Sequence, residues 1–157
     1  MTTHQLLTAE LQEMHWFENA WVTILGQLGR STCLPDLGSI LKKERAYTQE
    51  HVNRLKQVFV LINEPSEIKE CEALAGLLAD LKKACEGIGQ QNDIECDISF
   101  VLAVIKAANY RIGAYSGIFL LADALQYKQV QGLIQDTLGE EKQTILDLQA
   151  LLSRQNL

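Results

Sequence analysis

Along this chain apolar side chains return every three or four residues. Nowhere do they follow, over a useful length, the two-residue alternation of a strand. That period commits the chain to helices, and five segments carry it. The first runs from about Thr3 to Leu28 and ends near Gly26 and Gly29, with Arg30 favouring its negative end. The second begins around Thr32–Pro35, reaches about Ile62 and is stopped by Asn63-Glu64-Pro65. The third covers about Glu67 to Glu86 and is closed by Gly87 and Gly89. The fourth starts from an Asn92 or Asp93 cap, with Glu95 completing a capping-box variant, and runs to about Leu125. The fifth covers roughly Lys128 to Ser153.

The four long segments each present a stripe with alternating three- and four-residue spacing. They are Leu7, Leu11, Met14, Glu18, Trp21, Leu25, Leu28 in the first and Leu37, Leu41, Glu44, Thr48, His51, Leu55, Val58, Ile62 in the second. The fourth carries Val101, Val104, Ala108, Arg111, Tyr115, Ile118, Ala122, Leu125, and the fifth Ile134, Leu138, Glu141, Ile145, Leu148, Leu152. Such stripes pack helices nearly parallel or antiparallel, as in a four-helix bundle. The third segment has the short stripe Cys71, Leu74, Leu78, Leu81, Cys85, which places it in a crossover letting the second and fourth helices run in one direction. The chain reads as one domain over residues 1–157, within the usual size of a domain.

Each long stripe is interrupted near its midpoint by a polar residue: Glu18, the stretch from Glu44 to His51, Arg111 and Glu141. Aligned at their centres, the helices bring these side chains to one level inside the bundle. A lone buried carboxylate costs several kcal/mol or changes protonation state, so Glu18 and Glu141, joined by Glu44, require a positive partner. Two answers present themselves. One is a metal ion held by inward Glu and His side chains; the other is Arg111, whose planar head can bridge two carboxylates. His4 and His15 read as solvated, Tyr47, Tyr110 and Tyr115 as packing residues, and Trp16 and Trp21 as core or interface aromatics.

Composition narrows the class. Hydrophobic residues make up 47%, enough for a core, and the net charge of −6 argues against nucleic acid or an anionic membrane as partner. The first residues lack a basic-then-apolar leader, and no apolar run approaches the roughly 18 residues of a membrane span. Cys33, Cys71, Cys85 and Cys96 have no CxxC spacing and read as reduced, buried thiols of a cytoplasmic protein. P-loop, GxGxxG, HExxH and GxSxG motifs are all missing.

From about Glu10 to Leu151 the chain resembles the YciF/YciE family of bacterial ferritin-like proteins, which are associated with stress responses. The resemblance is carried by Glu10-Leu11 through Glu18, by Thr48 through Phe59, by Cys71 through Leu77, by Tyr110 with Ala114 through Gly117, and by Leu138-Gly139-Glu140-Glu141-Lys142. It implies an all-α, ferritin-like up-down four-helix bundle with one long crossover carrying an extra helix, a homodimer, and a dinuclear metal site. Carried across residue by residue, Glu18 matches the family's inward glutamate of the first helix, and Glu140 and Glu141 match the acidic run of the last. The family's paired glutamates of the second helix fall on Ala46 and Tyr47. In the fourth helix its two glutamates fall on Ala108 and Arg111, and its histidine on Asn109.

The favoured expectation is therefore a divergent, non-catalytic dimeric protein, stress-related by analogy, with no cofactor. In it Arg111 supplies the charge of the lost metal within a buried polar layer of Glu18, Tyr47, His51, Asn109, Arg111 and Glu141. The alternative is an iron or manganese protein with oxidase, peroxide-scavenging or iron-handling activity, using Glu18, Glu44, His51 and Glu141. A third expectation is a small-molecule pocket beside Tyr47, Asn109 and Tyr110, with room left by Ala46 and Ala108; it names no ligand.

Overall fold

The computed structural model describes residues 1–27, 32–87 and 94–155. Five helices are present: α1 (Thr3–Gly26), α2 (Leu37–Leu61), α3 (Glu72–Gly87), α4 (Ile94–Ala124) and α5 (Lys128–Ser153). Among the described residues there is no strand, and no helix is long and apolar enough to cross a membrane. The expected first-helix end at Leu28, Gly29 and Arg30, the closing Gly89, and the Asn92 or Asp93 cap lie outside the described residues.

Local chemistry explains each boundary. Thr2 and Gln5 form a reciprocal capping box at the start of α1. At the end of α2, Asn63 turns left-handed (φ 58°) while its N–H reaches Val60 O and the Glu64 N–H reaches Phe59 O. This is the Schellman closure, and Pro65 then forbids continuation. Gln126 closes α4 in the same way. Two starts differ from expectation. α2 begins at Leu37, because Leu34 O accepts from Leu37 N–H across a turn in which Asp36 has φ 69°. α3 begins at Glu72, five residues late, because the preceding segment is strapped to α1. Lys69 N–H donates to Gln12 O at 3.1 Å, and His15 Nδ1 donates to Glu67 O at 3.0 Å.

The helix directions follow from contacts at the two ends. His4, at the start of α1, bonds Glu64 just after α2 and Tyr127 just before α5. At the other end Asp97, in the first turn of α4, accepts from Cys33 and Leu34 just before α2. So α1 and α5 run one way and α2 and α4 the other. α1 packs on α2, α2 on α5, α5 on α4 and α4 on α1, closing a ring of four, while α3 lies outside against α4 and α1. The stripes meet in the centre as a buried core. In α5 the seam is rotated from expectation: Thr137, Thr144 and Leu151 are buried, whereas Leu138 and Leu152 sit at its edge. The cysteines are half-buried rather than fully buried.

Candidate functional site

The midpoint residues do meet. Glu18 from α1, Glu44 and His51 from α2, and Glu141 from α5 are 0% exposed, and Arg111 from α4 is 1% exposed. A charged layer therefore crosses an otherwise apolar core. Arg111 Nη1 donates to Glu18 Oε2 at 3.1 Å, and Nη2 donates both to Glu44 Oε1 at 2.6 Å and to Glu141 Oε2. One guanidinium thus engages three carboxylates from three helices, as its fork of donors permits. Its central carbon, Cζ, lies over the Phe17 ring, 5.5 Å from the centroid.

Neutral donors finish the layer. Tyr115 O–H donates to Glu18 Oε1 at 2.8 Å, Trp21 Nε1–H to Glu44 Oε1 at 3.1 Å, and Thr144 O–H to Glu44 Oε2 at 2.8 Å. Towards solvent, His51 Nε2–H donates to Glu140 Oε2 at 2.9 Å, and Arg54 clasps both Glu140 oxygens at 2.6 and 2.8 Å. The inner His51 nitrogen, Nδ1, faces Glu18 Oε1 at 3.5 Å and Glu141 Oε1 at 3.6 Å. Neither that nitrogen nor Glu141 Oε1 makes a hydrogen bond among the described residues.

These contacts set the protonation states. Burial raises Glu141, Arg111 opposes that, and the nearby Glu44 and Glu18 add to the rise, bringing the carboxyl to about 8. Burial alone would lower His51, but the Glu140 hydrogen bond and the neighbouring Glu18 and Glu141 hold it up at about 9. Glu18 goes down despite burial, because Arg111, His51 and Tyr115 favour its anion. Glu140 falls to about 2: burial opposes, and the bonds from Arg54 and His51 prevail. Burial works against the Arg111 cation, yet the three carboxylates drive its pKa still higher. With Glu141 as the neutral acid, Arg111 and His51 answer Glu18 and Glu44, and Arg54 answers Glu140.

The other site residues expected from the sequence fall elsewhere. Asn109 is exposed and bonds back to Ile105 O; Tyr47 is half-buried under Lys43, 5.4 Å from its ring centroid. Neither belongs to the buried layer, because each sits one helical step off the inward stripe. Tyr110 is also exposed and Ala46 faces outward, whereas Ala108 is buried, so these residues do not share one face; an open groove of about 460 Å³ lies between α3 and α4, lined in part by Leu77, Ala84 and Leu102. His15 is buried, not solvated, since its ring nitrogen holds the Glu67 carbonyl; His4 is part-buried between Tyr127 and Glu64. The stripes by themselves do not reveal Arg54, which lies three residues beyond His51 on the same face, or Thr144, three beyond Glu141.

A dinuclear carboxylate site in a helical bundle takes single glutamates from two helices and Glu-x-x-His pairs from the other two. Here the inward pairs three apart are Thr48 with His51 and Glu141 with Thr144, and the single positions are Glu18 and Arg111. Three of the six positions lack a metal ligand, and one of them holds a cation. Ala108, also buried, adds no donor. The residues present do not fit two ions. Among the described residues, no group of three or more His, Cys, Asp or Glu side chains is arranged to hold a metal.

The family model for the Domain of unknown function (DUF892) matches residues 2–156. The chain belongs to that family. It is 26% identical over 142 residues to Protein YciF of Escherichia coli (strain K12), covering 88% of this chain and 82% of that protein. The crystal structure of the E. coli stress protein YciF superposes with a TM-score of 0.86 at 23% identity, covering 98% of this chain and 99% of that one. YcfI from Rhodopseudomonas palustris gives 0.82 at 22% identity, covering 95% and 94%. At these identities the two structures establish a shared all-α fold.

Proposed function

We propose that this chain is a ferritin-like bundle without a working dinuclear centre, in which Arg111 permanently supplies the positive charge a metal would bring. The observation that carries this reading is the single guanidinium bonded to Glu18, Glu44 and Glu141 in a fully buried layer. Arginine cannot lose its proton in a protein and offers no lone pair, so it can neither ligate nor relay. The layer is closed off from solvent, and the role we assign it is structural: it locks four helices in register. The protein then acts through its surface, as a cytoplasmic homodimer. A role in stress is the analogy offered by the E. coli relative, called a stress protein.

The test is elemental analysis of protein expressed in iron- and manganese-supplemented medium. Substoichiometric metal is expected. Stoichiometric iron or manganese that disappears in the Glu18→Ala and Glu141→Ala proteins would overturn the reading in favour of a metalloprotein using Glu18, Glu44, His51 and Glu141. Sedimentation equilibrium checks the dimer, and a monomer at every concentration would remove that part.

A further inference from the structure

The helix outside the ring of four leaves a trough beside it. α3 runs antiparallel to α4: Cys71, just before α3, meets Tyr110, whereas Ala84 near its end shares a groove with Cys96. Leu74, Leu78 and Leu81 are buried. On the neighbouring side Leu77 and Ala84 line the groove opposite Ser99 and Ala103 of α4, side chains too short to fill the space between two helix backbones. The groove holds about 460 Å³, within the ordinary range of small-molecule sites. Its floor is apolar, with Leu77, Ala84 and Ala103 half-buried and Leu102 46% exposed at the rim.

Positive charge stands at the ends of this trough. Lys83 is level with about Ile98, so it and Lys106 lie about eight residues, or about 12 Å, apart along α4. Both are exposed, and neither is in an ion pair among the described residues. Asp80 lies one turn before Lys83 on α3 and partly answers it. Lys106 has no acidic residue within one turn on α4, and the α3 stretch opposite, Ala75-Gly76-Leu77, is uncharged. An unanswered cation with an apolar trough running away from it suits a ligand with an anionic head and a hydrocarbon tail. The lining extends from Cys96 to Lys106, about 15 Å, which is the length of an extended chain of about twelve carbons.

We propose that the groove between α3 and α4 binds a free medium-chain fatty acid, with its carboxylate at Lys106 and its tail along Leu77, Ala103 and Ala84. Lys83 covers the far end of the tail with its own methylene stem. The central layer around Arg111 takes no part, so this inference stands or falls separately from the reading of that layer.

The experiment titrates laurate, below its micellar concentration, into the ¹⁵N-labelled full chain and follows the amide resonances. Expected are saturable shifts confined to α3 and the first half of α4, with one laurate per chain. Dodecylamine, the same tail with a cationic head, should bind at least about tenfold more weakly. Lys106→Gln should weaken laurate by a similar factor and leave dodecanol unaffected. Ser99→Phe, at an exposed position, fills the trough and should abolish binding without lowering the melting temperature. If that variant unfolds, Leu102→Asp at the rim takes its place. The proposal is overturned by the absence of saturable shifts, by shifts centred elsewhere, by equal affinity for laurate and dodecylamine, or by binding that survives in the folded groove variant. Preference for a lysophospholipid over the free acid would also overturn it. So would shifts of the same residues with rising protein concentration and no laurate, because a second copy would then be the occupant.

Discussion

The molecule buries carboxylates in two different ways. At the end of the bundle Asp97 is 0% exposed, and one of its oxygens accepts from the backbone N–H groups of Cys33 at 2.5 Å and Leu34 at 2.8 Å. In the middle, Glu18, Glu44 and Glu141 are equally buried, and their principal shared partner is the Arg111 cation. The first solution joins two segments: oriented peptide dipoles of the turn before α2 stabilise a carboxylate carried by α4, and only those two pieces of chain must meet. The second is convergent, requiring four helices to assemble before any member is satisfied. Loss of Asp97 should therefore loosen one connection, whereas loss of Arg111 should affect the whole core.

Predictions that could break this contrast run from large to small. Without added metal, Arg111→Ala leaves three carboxylates facing one another and is expected to cost about 3–5 kcal/mol, measured by urea unfolding. An unchanged midpoint would show that the layer needs no counter-charge. Asp97→Ala frees two backbone donors and should cost about 2–3 kcal/mol. If it equalled or exceeded the arginine variant, the two-segment solution would not be the weaker one. Thr144→Val removes a single donor to Glu44 and is expected to cost about 1–2 kcal/mol in the same assay.

A further effect, spread over several pH units, is a slope with pH. Glu141 rises from 4.5 to about 8 on folding, so the folded state holds its proton more tightly. The stability this gives is complete below 4.5 and is lost as pH climbs towards 8. His51, raised from 6.5 to about 9, loses its contribution over that higher range. Glu140, lowered from 4.5 to about 2, acts oppositely and is lost as pH falls through that interval. The melting temperature should peak in mildly acidic solution and decline towards alkaline pH. Glu141→Gln should flatten the decline between about 4.5 and 8. An identical slope in that variant would place the titration elsewhere.

Much of this architecture is legible in the sequence. The stripes locate all five helices, and the Asn63-Glu64-Pro65 stop is visible because it acts locally. Glu18, Glu44, His51, Arg111 and Glu141 stand out because ionisable groups break otherwise apolar stripes. Tyr47 and Asn109 mislead because likeness to a family pattern picks them out, while the inward face is set by helical phase. His15 and the late start of α3 are hidden for another reason. Each depends on a bond between segments about fifty residues apart, and no local period encodes that. Arg54 and Thr144 become informative only once the neighbouring helix is in place.

Trp21 gives the molecule an intrinsic optical probe. Its indole is 1% exposed, and its N–H is bonded to Glu44, one of the oxygens that Arg111 holds. Excited indole emission responds to charge at that nitrogen, so a rearrangement of the guanidinium should move the fluorescence maximum without any label. Trp16, half-buried nearby on the same helix, contributes a second emission, and a Trp16→Phe background would leave a signal from the central layer alone.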